Sequence, residues 1–243
     1  MVNHDSYTPK YVQIKEYILQ SIQSGAYPHN SRIPSTRTLA DQFEVNRLTV
    51  TKAIDELVQE GWLATSVGKG TFVAPAKIDQ ELLSLTSFTE DVRARGQKPS
   101  SLTLLALTQP VDRETASLLQ LPTGAEVHIL SRVRLADNKP IAIETSTLNA
   151  AVCPRLLEKH DFSKTSLYEV LWKDYGLTMA YAHQTLEARE PTSSECEALH
   201  ITAHMPVLAV TRITYSGSDQ PVEYVRSAYR GDRYKFKALL RKV

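Results

Sequence analysis

Arg132 and Arg134 stand two positions apart in the run VHILSRVRL. In an extended chain successive side chains alternate, so both guanidinium groups project from one face. Two cations drawn together into an interior are costly unless an anion or carboxylates pair them. A planar guanidinium meets phosphate or carboxylate oxygens bidentately, so the pair is a candidate grip for an anionic small molecule. Ser166 and Tyr168, within Thr165-Ser166-Leu167-Tyr168, fall at an expected helix start, where free amides also favour anions. The competing reading pairs the arginines with Glu144, Glu223 or Asp232 as structural salt bridges. Arg230 and Arg233, flanking Asp232, read as structural.

A second set of chemically apt residues lies nearer the start. Arg47, Thr49, Thr51 and Lys52 fall outside the apolar stripe Val50, Ala53, Ile54, Leu57 and Val58, whose spacing of three and four predicts a buried helix face. Side chains in the first turn and a half of such a helix can reach base edges and phosphates. Asn46 is placed to cap this helix, which should stop at Gly61; Ser35 caps a shorter one, Thr36 to Phe43. Trp62 to Ser66 and Thr71 to Val73 read as two short strands joined through Val67-Gly68-Lys69-Gly70. Two glycines around Lys69 allow a backbone to approach a sugar-phosphate chain closely. Trp62 and Phe72 read as packing for that hairpin. Upstream, Thr8 is expected to cap a helix that takes Pro9 in its first turn, buries Ile14, Ile18 and Ile22, and ends at Gly25. Helix, turn, helix and two-stranded wing make a winged helix-turn-helix, whose partner is double-stranded DNA.

The rear of the chain contains an internal repeat offset by 80 residues. ASLLQLPTGAEVHILSRVRL (116–135) aligns with CEALHITAHMPVLAVTRITY (196–215), matching Arg132 with Arg212. Each copy reads as a short helix, a turn and a long strand, followed by a second strand carrying Glu144 or Glu223. Two such hairpins can join in one antiparallel sheet with helices on one side and a cleft between the halves. The fold class expected is therefore α+β.

Pro34-Ser35-x-Arg37-x-Leu39-Ala40, Asn46-Arg47-Leu48-Thr49-Val50, Gly61-Trp62-Leu63 and Gly68-Lys69-Gly70-Thr71-Phe72-Val73 together resemble the DNA-binding domain of the GntR family of bacterial transcription regulators. The resemblance implies DNA contacts by Arg37, Arg47, Thr49 and Gly70, beside Ser35, Thr51, Lys52 and Lys69. The chain departs from the family pattern at Thr51, where an arginine is usual, and at Glu44, where glycine is common. Either one guanine contact is missing or Lys52 partly replaces it. Behind this, Ser87-Phe88-Thr89-Glu90-Asp91, Arg132-x-Arg134-Leu135-Ala136, Pro140 to Glu144, Ser166-Leu167-Tyr168 and Tyr229 to Tyr234 resemble the effector-binding (UTRA) domain of the HutC-type branch, which is similar in fold to chorismate lyase. The likeness is greatest to members that sense amino-sugar phosphates. It implies a phosphate held by Ser87, Phe88, Thr89, Arg132, Arg134, Ser166 and Tyr168, and a sugar end held by Glu144, Glu223 and Tyr229.

Composition is consistent with this reading. The 243 residues carry a net charge of +1 and are 42% hydrophobic, enough for two domains. Cys153 and Cys196 lack metal-ligand spacing and read as reduced buried thiols, and the histidines form no HExxH or CxxC-type cluster, so neither metal nor cofactor is expected. No apolar run approaches a membrane span, and the first residues hold no signal-peptide core, which points to the cytoplasm. Residues 1–75 contain seven Lys+Arg against seven Asp+Glu, a neutral balance for a DNA-binding module. Weak nonspecific binding and reliance on a homodimer follow. The expected organisation is a DNA-binding domain over 1–75, a linker over 76–84 with a short helical or strand start, and an effector domain over 85–243. The expected function is a regulator, by family default a repressor, of a palindromic operator, released by a small anionic metabolite. A carboxylate such as urocanate is the alternative effector. An enzyme of the chorismate-lyase type, with Glu144 and Arg132 in acid chemistry, is disfavoured because the chain has no nucleophile–base pair.

Overall fold

The computed structural model describes residues 8–66, 68–74 and 77–240. Two compact units divide the chain, Met1–Lys77 and Ile78–Val243. Residues 1–7, Val67 of the wing turn, and Pro75 and Ala76 at the expected domain boundary lie outside the described residues.

The front unit contains helices α1 (Lys10–Gln23), α2 (Thr36–Phe43) and α3 (Arg47–Gln59), then strands β1 (Leu63–Ser66) and β2 (Gly70–Val73). Ser35 Oγ accepts from the amide of Thr38 at 3.1 Å, and Asn46 Oδ1 from that of Leu48 at 3.0 Å, so each cap satisfies a free helix-start amide. Gly61 follows α3 at φ +76°, as the sequence predicts. The start of α1 differs: Pro9, not Thr8, occupies the cap position, and its carbonyl accepts from Val12 and Gln13. Ile14, Ile18, Leu39, Phe43, Val50 and Leu57 meet in one core, with Trp62 packed against it. On the far side of α3, Lys15 pairs with Glu56 and Glu60 at 3.0 and 2.5 Å.

The rear unit opens with β3 (Ile78–Glu81) and α4 (Phe88–Arg93), then β4 (Pro99–Pro110), α5 (Arg113–Leu118), β5 (Glu126–Ala136) and β6 (Lys139–Asn149). Next come α6 (Leu156–Lys159), α7 (Leu167–Tyr175), β7 (Met179–Arg189), α8 (Ser193–Leu199), β8 (Val207–Ser216), β9 (Pro221–Arg230) and β10 (Tyr234–Lys237). Six strands form one antiparallel sheet in the order β4-β5-β6-β9-β8-β7. The β6–β9 pair lies at its centre, so β4-α5-β5-β6 and β7-α8-β8-β9 are two copies of one motif. The repeat thus extends further upstream than the aligned segments, to include both edge strands. Asp137 and Asn138, both at positive φ, close the β5–β6 hairpin; such paired left-handed turns match the twist of the strands.

The stretch read as a linker with a short helical or strand start contains β3, which pairs in parallel with β10, Ile78 opposite Tyr234. Ile78 is buried and Gln80 Oε1 accepts from the Tyr234 hydroxyl at 2.7 Å, so the rear unit starts at Ile78. The partner of this strand was not legible in the sequence because it lies at the other end of the unit.

Candidate functional site

Strand register brings the rear-unit candidates to one face of the sheet. Arg132 lies opposite Glu144, Glu144 opposite Ser227, and Thr214 opposite Glu223. Two-residue alternation then adds Arg134 and Arg212 to the same face. Ser87, at the cap of α4, and Ser166, at the cap of α7, close the rim, with Phe88 and Tyr168 beside them. The cleft is narrow, with about 20 Å³ of room for a water-sized molecule.

Glu144 is the pivot of the cleft. Its Oε1 accepts from Arg132 Nη2 at 2.6 Å and lies 3.7 Å from Arg134 Nη1. The salt-bridge reading is therefore realised, yet one carboxylate does not saturate two guanidinium groups. Arg132 and Arg134 are 1% and 4% exposed, and Nε and Nη1 of each lack a hydrogen-bond partner among the described residues. Four buried donors without partners, on two residues that line the cleft, are what an anionic oxygen cluster would satisfy. Arg134 also donates to Thr89 Oγ1 at 3.2 Å and rests on the Phe88 ring at 4.7 Å.

Electrostatics divides the cleft into two ends. Burial and the neighbouring Arg134 pull the Arg132 guanidinium down to about 10. Burial would raise Glu144, but Arg134, Arg132 and Arg212 hold it below the ordinary carboxylate range. Glu223 goes the other way: burial, then repulsion by Glu144, raise it against opposition from Ser146, Arg212 and Tyr168. The Tyr168 hydroxyl donates to Glu223 at 2.9 Å and lies 3.3 Å from Thr214 Oγ1. One end thus presents unsatisfied cationic donors, the other a carboxyl and hydroxyl network suited to a polar neutral or amino-bearing body.

Two expected contacts lie beside the cleft. Tyr229 is buried on the cleft face of the sheet, in the cross-strand row of Arg134, with its ring 4.2 Å from that of Tyr234 and its hydroxyl pushed up to about 12 by burial. It packs in the core with Val92 and with Phe88, which lines the cleft. Thr89 lies on the other side of Arg134, lining an adjoining pocket with Ser101 and Thr165. Arg212, 7% exposed, is a cleft residue that the sequence reading left out. Its alignment with Arg132 in the repeat was the available signal. Arg230 and Arg233 both pair with Asp232, as expected of structural residues. Cys153 is buried, its thiol pushed up to about 12 by burial, whereas Cys196 is only half-buried.

In the front unit Arg37, Arg47, Thr51 and Lys69 are exposed and Thr49 is half-buried. None of these three cations has an ion-pair partner among the described residues, whereas Lys15 occupies two of the unit's carboxylates at the far end of α3. The formal neutrality thus hides a cationic recognition end. Lys52 is less available than expected, since its ammonium rests 3.8 Å from the centre of the Tyr11 ring. Two residues join the set. Leu48, 75% exposed on the first turn of α3, presents an apolar tip suited to a thymine methyl group. Arg32 bridges β2 at Phe72, and its guanidinium passes over Gly70, where a Cβ would stand 2.6 Å from Arg32 Nε. Its place outside both helices concealed it.

Residues 94–235 match the UTRA domain, and residues 10–73 match the family described as bacterial regulatory proteins, gntR family. The chain is 36% identical over 235 residues to the HTH-type transcriptional repressor NagR of Bacillus subtilis, covering 97% of this chain and 96% of that protein. It is 33% identical over 229 residues to the histidine utilization repressor of Klebsiella aerogenes, covering 94% and 93% respectively. The crystal structure of PhnF from Mycobacterium smegmatis superposes with a TM-score of 0.67 at 30% identity, over 95% of this chain and 98% of that one.

Proposed function

Because this chain belongs to the GntR family of bacterial regulatory proteins and carries a UTRA domain, we propose that it is a cytoplasmic transcriptional repressor released from its operator by a small anionic metabolite. A homodimer sets two α3 helices into the major-groove half-sites of a palindromic operator. Arg47, Thr49, Thr51 and Leu48 read bases, while Arg37, Arg32 and Lys69 fix the phosphate backbone. Ser35 and Asn46 hold the helix starts that present them.

The observation that carries the effector half is the excess of guanidinium donors around Glu144. An amino-sugar phosphate fits this arrangement best. Its phosphate takes the free nitrogens of Arg132 and Arg134 beside Ser87 and the amides at the start of α7. Its hydroxyl and amino groups meet Glu144, Glu223 and Tyr168. The extent of the likeness to NagR of Bacillus subtilis supports this class. A carboxylate such as urocanate is the second reading, supported by the likeness to the histidine utilization repressor. Chain connectivity offers a route for the signal. Thr86 to Phe88 in the cleft wall lead back through β3 to Lys77 and the wing.

The test pairs a thermal-shift screen of sugar phosphates and small carboxylates with operator binding by fluorescence anisotropy. Arg134→Ala should keep operator binding and lose the effector response. Arg47→Ala should keep the effector-induced thermal shift while losing about 1–3 kcal/mol of base discrimination. Loss of the same activity in both variants would refute the division of labour.

A further inference from the structure

A second cavity lies on the same face of the rear sheet, towards the β7 edge, with a volume of about 340 Å³. Ala180, Ala182 and Gln184 of β7 line it on one side, and the chain between Gln80 and Leu85 on the other. Its polar centre is Arg212, paired across the strands with Gln184 and lining both this cavity and the cleft. Arg212 is 7% exposed, makes no direct ion pair among the described residues, and its Nε lacks a hydrogen-bond partner there. Gln80, 5% exposed, spends its carbonyl oxygen on the Tyr234 hydroxyl, which leaves its amide hydrogens as donors.

We propose that this cavity is a second ligand site, distinct from the cleft gripped by Arg132 and Arg134, and that it takes a small carboxylate with an apolar body. The argument rests on how the lining is composed. One buried guanidinium and two amides are enough for one carboxylate, and the Nε of Arg212, buried without a hydrogen-bond partner among the described residues, is a donor that a carboxylate would satisfy. Leu82, Leu85, Tyr181 and the two alanines supply the apolar remainder of the wall. A concave space that combines apolar side chains with a few convergent polar groups is a form that small-molecule sites take. A phosphate is disfavoured, because a dianion here would meet a single guanidinium and the carboxylate of Glu81.

The test uses the full chain with benzoate and hexanoate as probes, followed by calorimetry and chemical-shift perturbation. Benzoate should bind the wild type and Arg134→Ala equally, because that variant disables only the other cleft. Ala182→Trp, which fills the cavity, should abolish binding while thermal melts report an intact fold. Should that variant unfold, Gln184→Ala decides the matter, with an expected loss of about three- to ten-fold. Benzoate binding that survives Ala182→Trp, or is lost in Arg134→Ala, would overturn the proposal by placing the carboxylate elsewhere. Absence of binding by both probes at millimolar concentration would overturn it as well. Reading the result on Arg134→Ala keeps it separate from the fate of the proposed effector cleft.

Discussion

Glu144 sits between two arginines and gains more from them than it loses by burial, so its ionised form is favoured by folding. A carboxyl group with a depressed folded pKa contributes stability above its unfolded value, near 4.5, and that contribution disappears as pH falls through the folded value. Glu144→Gln should therefore be less stable than wild type at neutral pH, with the gap narrowing below about pH 4.5. Chemical denaturation at a series of pH values reads this directly; a gap that widens on acidification would show that Glu144 is not the charged partner. At the wing, Gly70 lies at φ +107° beneath Arg32, so a methyl group there must displace the guanidinium as well as strain the backbone. Gly70→Ala should weaken operator binding at least as much as Arg32→Ala does, and the double variant should add little. Anisotropy titrations of the three proteins test it, and full additivity would show that the two residues act separately.

Among the elements, α2 ends at Glu44 in the left-handed conformation, φ +51°, where a residue with a Cβ is strained by roughly 1–2 kcal/mol. Glu44→Gly should therefore stabilise the front unit by about 1 kcal/mol, seen as a higher melting temperature with unchanged operator affinity. Elements that carry their own signal were the ones legible in the sequence. The caps at Ser35 and Asn46, the glycine after α3 and the repeated helix–strand–strand pattern each declare themselves locally, and they account for the winged helix and both hairpins. The edge strand β4 did not, because Leu102, Leu104 and Leu105 are all exposed and no alternation marks a buried face. Nor was the pairing of β3 legible, since among the described residues it is with β10 at the far end of the unit. The same divide runs through the cleft. Arg132, Arg134, Ser166 and Tyr168 were found from spacing, whereas the shared position of Arg212 and the burial of Tyr229 depend on how six strands align.

For the molecule as a whole, the proposed function is a coupling between two ligands, and coupling is reciprocal. Saturating effector should weaken operator affinity about 5- to 150-fold, and saturating operator should weaken effector affinity by the same factor. Arg134→Ala should lose both effects together. Unequal factors, measured by anisotropy and calorimetry in one buffer, would mean that a further equilibrium intervenes.

The parallel pairing of β3 with β10 also bears on how the polypeptide is made. Gln80 leaves the ribosome long before Tyr234, its hydrogen-bond partner 154 residues downstream. At translation speeds of about 5–20 residues per second, β3 waits on the order of ten seconds for a mate. The winged helix, whose apolar core draws on nothing beyond Val73, can meanwhile mature as a nascent chain. A stalled or truncated transcript would thus yield a folded DNA reader before its sensor exists, so the timing of synthesis itself separates recognition from control.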